Sequence, residues 1–325
     1  MVRAQVVRAA AFGAAAFTTL AAVPAGDEPP RAASVYSRAA GPQPPGAARE
    51  AGQGAADQQV EPHAERIIVS AMVTLGRADS FSARLRQKVR IGDRVLVGTG
   101  RYVQSGRGEE QRFRSESSLT CDSETFEILE VSDGLFCWTY RRNGPDPATL
   151  QRIDVRRVRE RLEQLKAPVP EDTSPYLGGL QRTLGLLRDW FFFTSVDAGD
   201  VEGVPVWHVT GHWRPDMLAA ILPAIAEPAR RPGGVAPAEL PDGVPWSVRI
   251  SVGREDLVVR RVEWLAIPGP RPVAAGVPEP IAVLELLDVV VGGAVDAGAF
   301  FYQPASLGLM DVTEQHVKTL ALMRP

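Results

Sequence analysis

Between Ser80 and Ile91 two sets of residues alternate. Phe81, Ala83, Leu85, Gln87, Val89 and Ile91 form one, and Ser82, Arg84, Arg86, Lys88 and Arg90 the other. Side chains of a strand point alternately to opposite faces, so this stretch predicts a strand with one dry face and one basic face. Similar runs follow at Val95 to Val103, Arg112 to Thr120, Phe126 to Ser132 and Leu135 to Tyr140. Gly92-Asp93 and Asp133-Gly134 supply turn chemistry between them, and the set predicts an antiparallel meander. Ahead of the meander, Ile67, Ile68, Ala71, Met72 and Leu75 recur at helical spacing.

A helical interlude comes next. Asp154 is placed to cap a helix whose Val155, Val158, Leu162 and Leu165 make one stripe, closed off by Pro168 and Pro170. Leu177 to Asp189 carries Leu180, Leu184 and Leu187 but also Gly178, Gly179 and Gly185, a helix weakly supported by propensity and therefore suited to moving. Strands resume at Trp190 to Val196, Val204 to Trp213, Trp246 to Gly253, Leu257 to Ala266, Ile281 to Val291 and Phe300 to Tyr302. Met217 to Ala226 reads as a short helix before a Pro/Gly-rich loop, and Asp311 with Glu314 reads as a capping box for a last helix.

The 325 residues are 45% hydrophobic and 23% charged, a globular composition able to bury a sizeable core. A formal net charge of -3 argues against nucleic acid as a partner held by bulk electrostatics. Arg3 and Arg8 precede an apolar run from Ala9 to Val23, the order of a secretory signal peptide over residues 1–25. An exported, periplasmic protein is therefore expected, with an inner-membrane protein anchored by an uncleaved segment as the alternative. Residues 26–61, rich in Ala, Gly, Pro and Gln, read as a flexible tether, and 62–325 as one folded domain. Cys121 and Cys137 invite a disulfide in an exported chain. Against it, an Asp133-Gly134 turn would set Cys137 opposite Glu130 and Cys121 a strand further on, past bridging range.

Candidate chemistry is sparse. His208 and His212 lie on a predicted strand, about 13 Å apart on one face, too far for one metal. There is no nucleophile elbow, phosphate loop or His-Glu-x-x-His, so neither catalytic residue nor metal nor cofactor is expected. The apolar supply is large by comparison: Phe81, Phe113, Phe126, Trp138, Tyr140 and Trp190-Phe191-Phe192-Phe193 exceed what the few short helices can obviously cover. Either these side chains fill their own core, or a cavity between sheet and helices accepts an apolar ligand. The basic row has two readings also, a solvated face paired with acids such as Glu110 or Glu116, or a docking face for an acidic partner or lipid head groups.

The order of several weak motifs is more specific than any one of them. Ser80-Phe81 to Val89, Gly98-x-Gly100 with Tyr102, Phe113, Val131-Ser132-Asp133-Gly134 with Trp138 and Tyr140, Val252-Gly253-Arg254, and Gly293 to Ala297 with Phe300 and Pro304 together resemble the LolA-type periplasmic carriers of outer-membrane lipoproteins. The resemblance runs over about residues 62 to 315. It implies an α+β fold, mainly β: a curved, unclosed antiparallel half-barrel of about eleven strands with short helices as lid. It further implies no enzyme activity, an acylated lipoprotein or lipid as ligand, and an inner-membrane transporter and outer-membrane acceptor as partners. On this reading Phe81, Leu85, Val89, Phe113 and Trp138 line the sheet side of a hydrophobic cavity, Leu180, Leu184 and Leu187 cover it, and Arg84, Arg86, Lys88 and Arg90 dock a partner. The family's lid-latching arginine falls at Gly106, with Arg107 one place along. The same fold also serves as an envelope sensor, so a module of this fold that binds a protein partner is the alternative.

Overall fold

The computed structural model describes residues 62–164, 178–231, 234–267, 278–304 and 308–322. The expected signal segment and tether lie outside these residues. Helix α1 (Pro62–Arg77) buries the expected stripe of Ile67, Ile68, Ala71, Met72 and Leu75. The meander follows as β1 (Ser80–Ile91), β2 (Arg94–Ser105), β3 (Arg112–Cys121), β4 (Glu124–Ser132), β5 (Phe136–Asn143) and β6 (Thr149–Asp154). Helices α2 (Val155–Gln164) and α3 (Gly179–Trp190) interrupt the strands, and Asp154 Oδ1 caps α2 by accepting from Arg157 N–H at 3.1 Å. Then come β7 (Phe191–Val201), β8 (Val204–Trp213), the short helices α4 (Pro215–Ile221) and α5 (Ala226–Arg230), β9 (Ser247–Gly253), β10 (Val259–Ala266), β11 (Glu279–Val291), β12 (Leu309–Asp311) and α6 (Thr313–Leu322).

All twelve strands form one sheet in the order β12-β6-β5-β4-β3-β2-β1-β11-β10-β9-β8-β7. The β1–β11 pairing joins the N-terminal meander to the C-terminal strands, and β12 with β6 is the one parallel pair. The end strands β12 and β7 do not pair with each other, so the sheet is unclosed. It is nevertheless strongly curled. Helix α3 touches both β3 and β7, which stand seven places apart in the sheet and would be about 33 Å apart if it were flat.

Sequence permits that curl at β2. A Cβ on Gly98 would lie 2.1 Å from the Ser118 carbonyl oxygen, and one on Gly100 would lie 2.0 Å from that of Glu116. Only a residue without a side chain lets β3 lean so closely over β2. The inner face so formed carries Phe81, Leu85, Phe113, Val209, Ile250, Val262 and Leu284, all buried, and α1 and α3 pack against it.

Several expectations need correction. The described residues hold twelve strands, close to the expected eleven or so, but Thr149–Asp154 and Leu309–Asp311 pair while Phe300–Tyr302 does not. Those last residues instead end a 3-10 turn, Ala297–Phe300, whose start is held by Asp296 accepting from Gly298 N–H. Asp311 ends β12 and pairs with Arg152, and its Oδ1 accepts from Thr313 N–H at 3.0 Å at the start of α6, while Glu314 pairs with Arg157. The β4–β5 turn centres on Gly134-Leu135, so Cys137 stands opposite Ser132 instead of Glu130. Both cysteines are free and buried, and no bridge forms.

Candidate functional site

The space between the sheet and its helices is the natural place for an apolar ligand, and its walls follow from the alternation read in β1. Phe81 and Leu85 are each 1% exposed and Val89 is buried beside them. Phe81 meets Tyr102 edge to face at 5.9 Å between ring centroids, and Tyr102 stacks on Phe113 at 6.4 Å. From the other side Leu180, Leu184 and Leu187 of α3 are buried against this floor. Seven of the eight expected lining residues therefore share the inner face or its helical cover.

Trp138 is the exception. It pairs with Val131, which pairs with Arg114, and that line lies on the face opposite Phe113. There Trp138 packs on Phe136 and Tyr302, with the Arg152 guanidinium 5.9 Å from its ring. An aromatic residue reports a packing need; only register reports the face.

The void lined by Ala71, Leu75, Phe81, Leu180, Leu184 and Val259 measures about 10 Å³, room for about one water. Around that void α1 and α3 descend into the curl, and the leucines of α3 are buried there.

Polar contacts add to the burial of these leucines in holding α3. Gly178 (φ 139°) and Gly179 (φ 65°) bring the start of α3 hard against β3 and β4. A Cβ on Gly178 would stand 2.5 Å from Phe113 Cζ and 3.2 Å from Glu130 Oε1. Glu130 Oε2 accepts from Gly179 N–H at 3.2 Å, and the Tyr102 hydroxyl oxygen accepts from Leu180 N–H at 3.3 Å. Tyr102 in turn donates to Gln104 Oε1 at 2.9 Å, and Gln104 Nε2 donates to the Leu75 carbonyl of α1 at 3.0 Å. A single buried relay thus ties α1 and α3 through two β2 side chains. Arg107, beside the position where the family latch was sought, pairs with Asp79 at 2.9 Å on the surface instead.

Charge is buried here too. Glu130 is 1% exposed and Arg182, one turn into α3, is 4% exposed. Burial pushes the Glu130 carboxyl up to about 7, although the Arg182 and Arg141 guanidiniums and the Gly179 N–H pull it down. Burial likewise lowers Arg182 and Arg141 and raises the Tyr102 hydroxyl and the Cys137 thiol.

On the outer face the arginines of the basic row are paired with carboxylates, the first of its two readings, though with other acids. Arg84 pairs with Asp288, Arg86 with Glu285 and with Glu202 of the β7–β8 turn, and Arg90 with Glu279. The acids come from β11 and a hairpin tip rather than from Glu110 or Glu116. Lys88 stands beside them at the rim of an open cleft of about 700 Å³ that also holds Thr99, Ser118, Thr120 and Glu263. Glu285 is the centre of this lattice, shared by Arg86 and Arg261. Burial raises its carboxyl, but hydrogen bonds from the two arginines outweigh that and lower it. Glu285→Ala is expected to cost about 2 kcal/mol by urea unfolding, since it takes the carboxylate from Arg261 and leaves Arg86 with Glu202 alone; a loss under about 0.5 kcal/mol would show the pairs to be idle. The histidines are structural in geometry: His208 Nδ1 bonds Ser251 Oγ at 2.8 Å, and His212 lies 4.8 Å from the Trp246 ring.

The architecture is an open, curled, mainly antiparallel half-barrel. Among solved structures, MucB matches at 12% identity with a TM-score of 0.38, covering 76% of this chain and 64% of that one. This chain therefore spans less than two thirds of that neighbour's length. The MucA/MucB complex of Pseudomonas aeruginosa matches at 13% identity, TM-score 0.32, covering 74% and 61%. A LolA superfamily protein from Nitrosomonas europaea matches at 10% identity, TM-score 0.25, covering 74% and 97%. No family model and no curated protein matches the sequence. Among the described residues no helix is long and apolar enough to cross a membrane.

Proposed function

We propose that this is an exported binding protein for an apolar chain, such as the acyl group of a lipid or lipoprotein, in its closed state. One observation carries the reading: α3 covers the apolar inner face with Leu180, Leu184 and Leu187, and its N-terminus is pinned to the sheet by a few buried hydrogen bonds. Gly185 in its interior lowers its own helical stability further, by about 1 kcal/mol relative to alanine. Release of α3 uncovers Phe81, Leu85 and Phe113 on the floor and its own leucines on the cover, the two walls an acyl chain needs. A 16-carbon chain buried there supplies on the order of 12 kcal/mol gross at about 0.8 kcal/mol per CH₂, before ordering costs. No covalent step is required, and sorting of lipoproteins between membrane partners is the finer role this chemistry would serve.

The second reading is a filled module of the same fold that binds a protein partner, favoured by the void of only about 10 Å³. The chain from residue 26 onward, purified without detergent, separates the two by native mass spectrometry and by titration with a fluorescent fatty acid. Bound lipid, or uptake at micromolar concentration that Leu184→Glu abolishes, supports the apolar-chain binder. A clean apo mass with no uptake in the unmodified protein overturns it in favour of the filled module.

A further inference from the structure

The polar cluster beneath α3 has a property that holding a helix down does not require: its central acceptor is a carboxylate sealed from water. Glu130 sits mid-strand on β4, its Oε2 3.2 Å from the Gly179 amide and its Oε1 against the α3 entry. The charged or titratable groups that bear on it come from three elements. Arg182 approaches from α3, Arg141 and Cys137 from β5, and Tyr102 from β2, with Asp133 acting on the Cys137 side. We propose that α3 docks with uptake of one proton by Glu130, so that the cover over the apolar floor is a proton-coupled latch, shut by acid and loosened by base. The inference rests on the reading of α3 as a movable cover.

The sign follows from which form of the group each state prefers. With α3 lifted, Glu130 faces water and titrates near its ordinary 4.5; with α3 docked it titrates at about 7. The docked state thus holds the proton more tightly, and docking is fully favoured below about 4.5. It weakens as pH rises through that window and levels off above about 7, where both states are ionised. A neutral carboxyl still accepts from Gly179 N–H through its carbonyl oxygen, so protonation removes the desolvated charge without removing the hydrogen bond. Tyr102, raised by burial, stays neutral throughout and serves as the constant part of the latch. The Tyr102–Gln104–Leu75 chain passes the release on to α1.

Amide hydrogen exchange of residues 180–187 in the full chain, corrected for the intrinsic base-catalysed rate, tests the latch without any ligand. Protection of α3 is expected to fall at least tenfold, and at most about seventyfold, between pH 5 and pH 8. Glu130→Gln is expected to flatten that dependence while keeping the pH 5 protection, and Tyr102→Phe to lower protection at every pH with the slope intact. Carboxyl NMR of the unmodified protein gives a readout that no folding failure disturbs: a Glu130 midpoint near 7 supports the proposal. A midpoint below about 5, or equal slopes in Glu130→Gln and the parent, overturns it. Should α3 exchange only by global unfolding, it is the movable cover that fails, whatever Glu130 titrates at. Should α3 open without pH dependence, apolar-chain binding stands and the proton coupling falls.

Discussion

Phe81→Ala is expected to lower stability by about 3–5 kcal/mol, visible as a loss of roughly 10 °C in melting temperature. The ring is 1% exposed, stands edge-on to Tyr102, and borders the one small void between α1, α3 and the sheet. Its removal subtracts the transfer energy of a phenyl group and joins the vacated space to that void. The walls there, Ala71, Leu75, Leu180, Leu184 and Val259, are too firmly placed in helix and strand to collapse fully. An apolar hole of that kind stays dry and takes a small hydrocarbon. Saturating benzene is therefore expected to restore part of the lost melting temperature in Phe81→Ala and none in the parent, since a ligand that binds only the folded state stabilises it in proportion to its occupancy. A loss below about 1 kcal/mol, or a benzene effect equal in both proteins, would mean that the interior is already loose.

This outcome bears on function because it measures how the closed interior is held. A floor that depends on Phe81 while α3 depends on Glu130 and Tyr102 has two separable parts, a stable half-barrel and a cover with its own equilibrium. An apolar ligand shifts only the second. The strength with which it binds is then reduced by the fraction of time α3 is docked, which gives any agent acting on the latch a direct effect on affinity.

How much of this is legible in the sequence depends on how many strands a statement must span. The two faces of β1 need only one strand, and alternation alone places Phe81, Leu85 and Val89 inward with the arginines outward. Trp138 needs the register of five strands, and a turn one residue later than the Asp133-Gly134 chemistry suggests alters its partners. The pairing of the basic row with β11 and the β7–β8 tip lies beyond reach for the same reason, because the acids sit some two hundred residues away in the chain for Arg84, Arg86 and Arg90. β6 and β12 are too short to announce themselves, at six and three residues. Glu130 left a signal that went unused. Counted by twos from Phe126 the strand runs Phe126, Ile128, Glu130, which puts a carboxylate in step with two apolar residues. An acid in step with the dry side of a strand is a buried-charge warning.

Gly98→Val is expected to cost more than about 4 kcal/mol, and to yield protein that fails to reach the soluble fraction or melts far below the parent. The cause is backbone against backbone. A Cβ there falls 2.1 Å from the Ser118 oxygen and 2.6 Å from the Leu119 Cα, so no side-chain rotamer relieves the clash. Relief requires β3 to move away from β2, which breaks the Gly98–Leu119 step of their register and opens the curl that lets α3 reach both β3 and β7. Flattening at this point pulls the floor from under α3 and exposes Phe113 and Tyr102 together. Gly92→Val is the control: that glycine lies in the β1–β2 turn at φ 60° with open space around its Cβ, so its cost is conformational strain of only about 1–2 kcal/mol. Urea midpoints of the two variants beside the parent decide the matter. If Gly98→Val unfolds at the same midpoint as Gly92→Val, the tight lean of β3 over β2 is not what shapes the half-barrel.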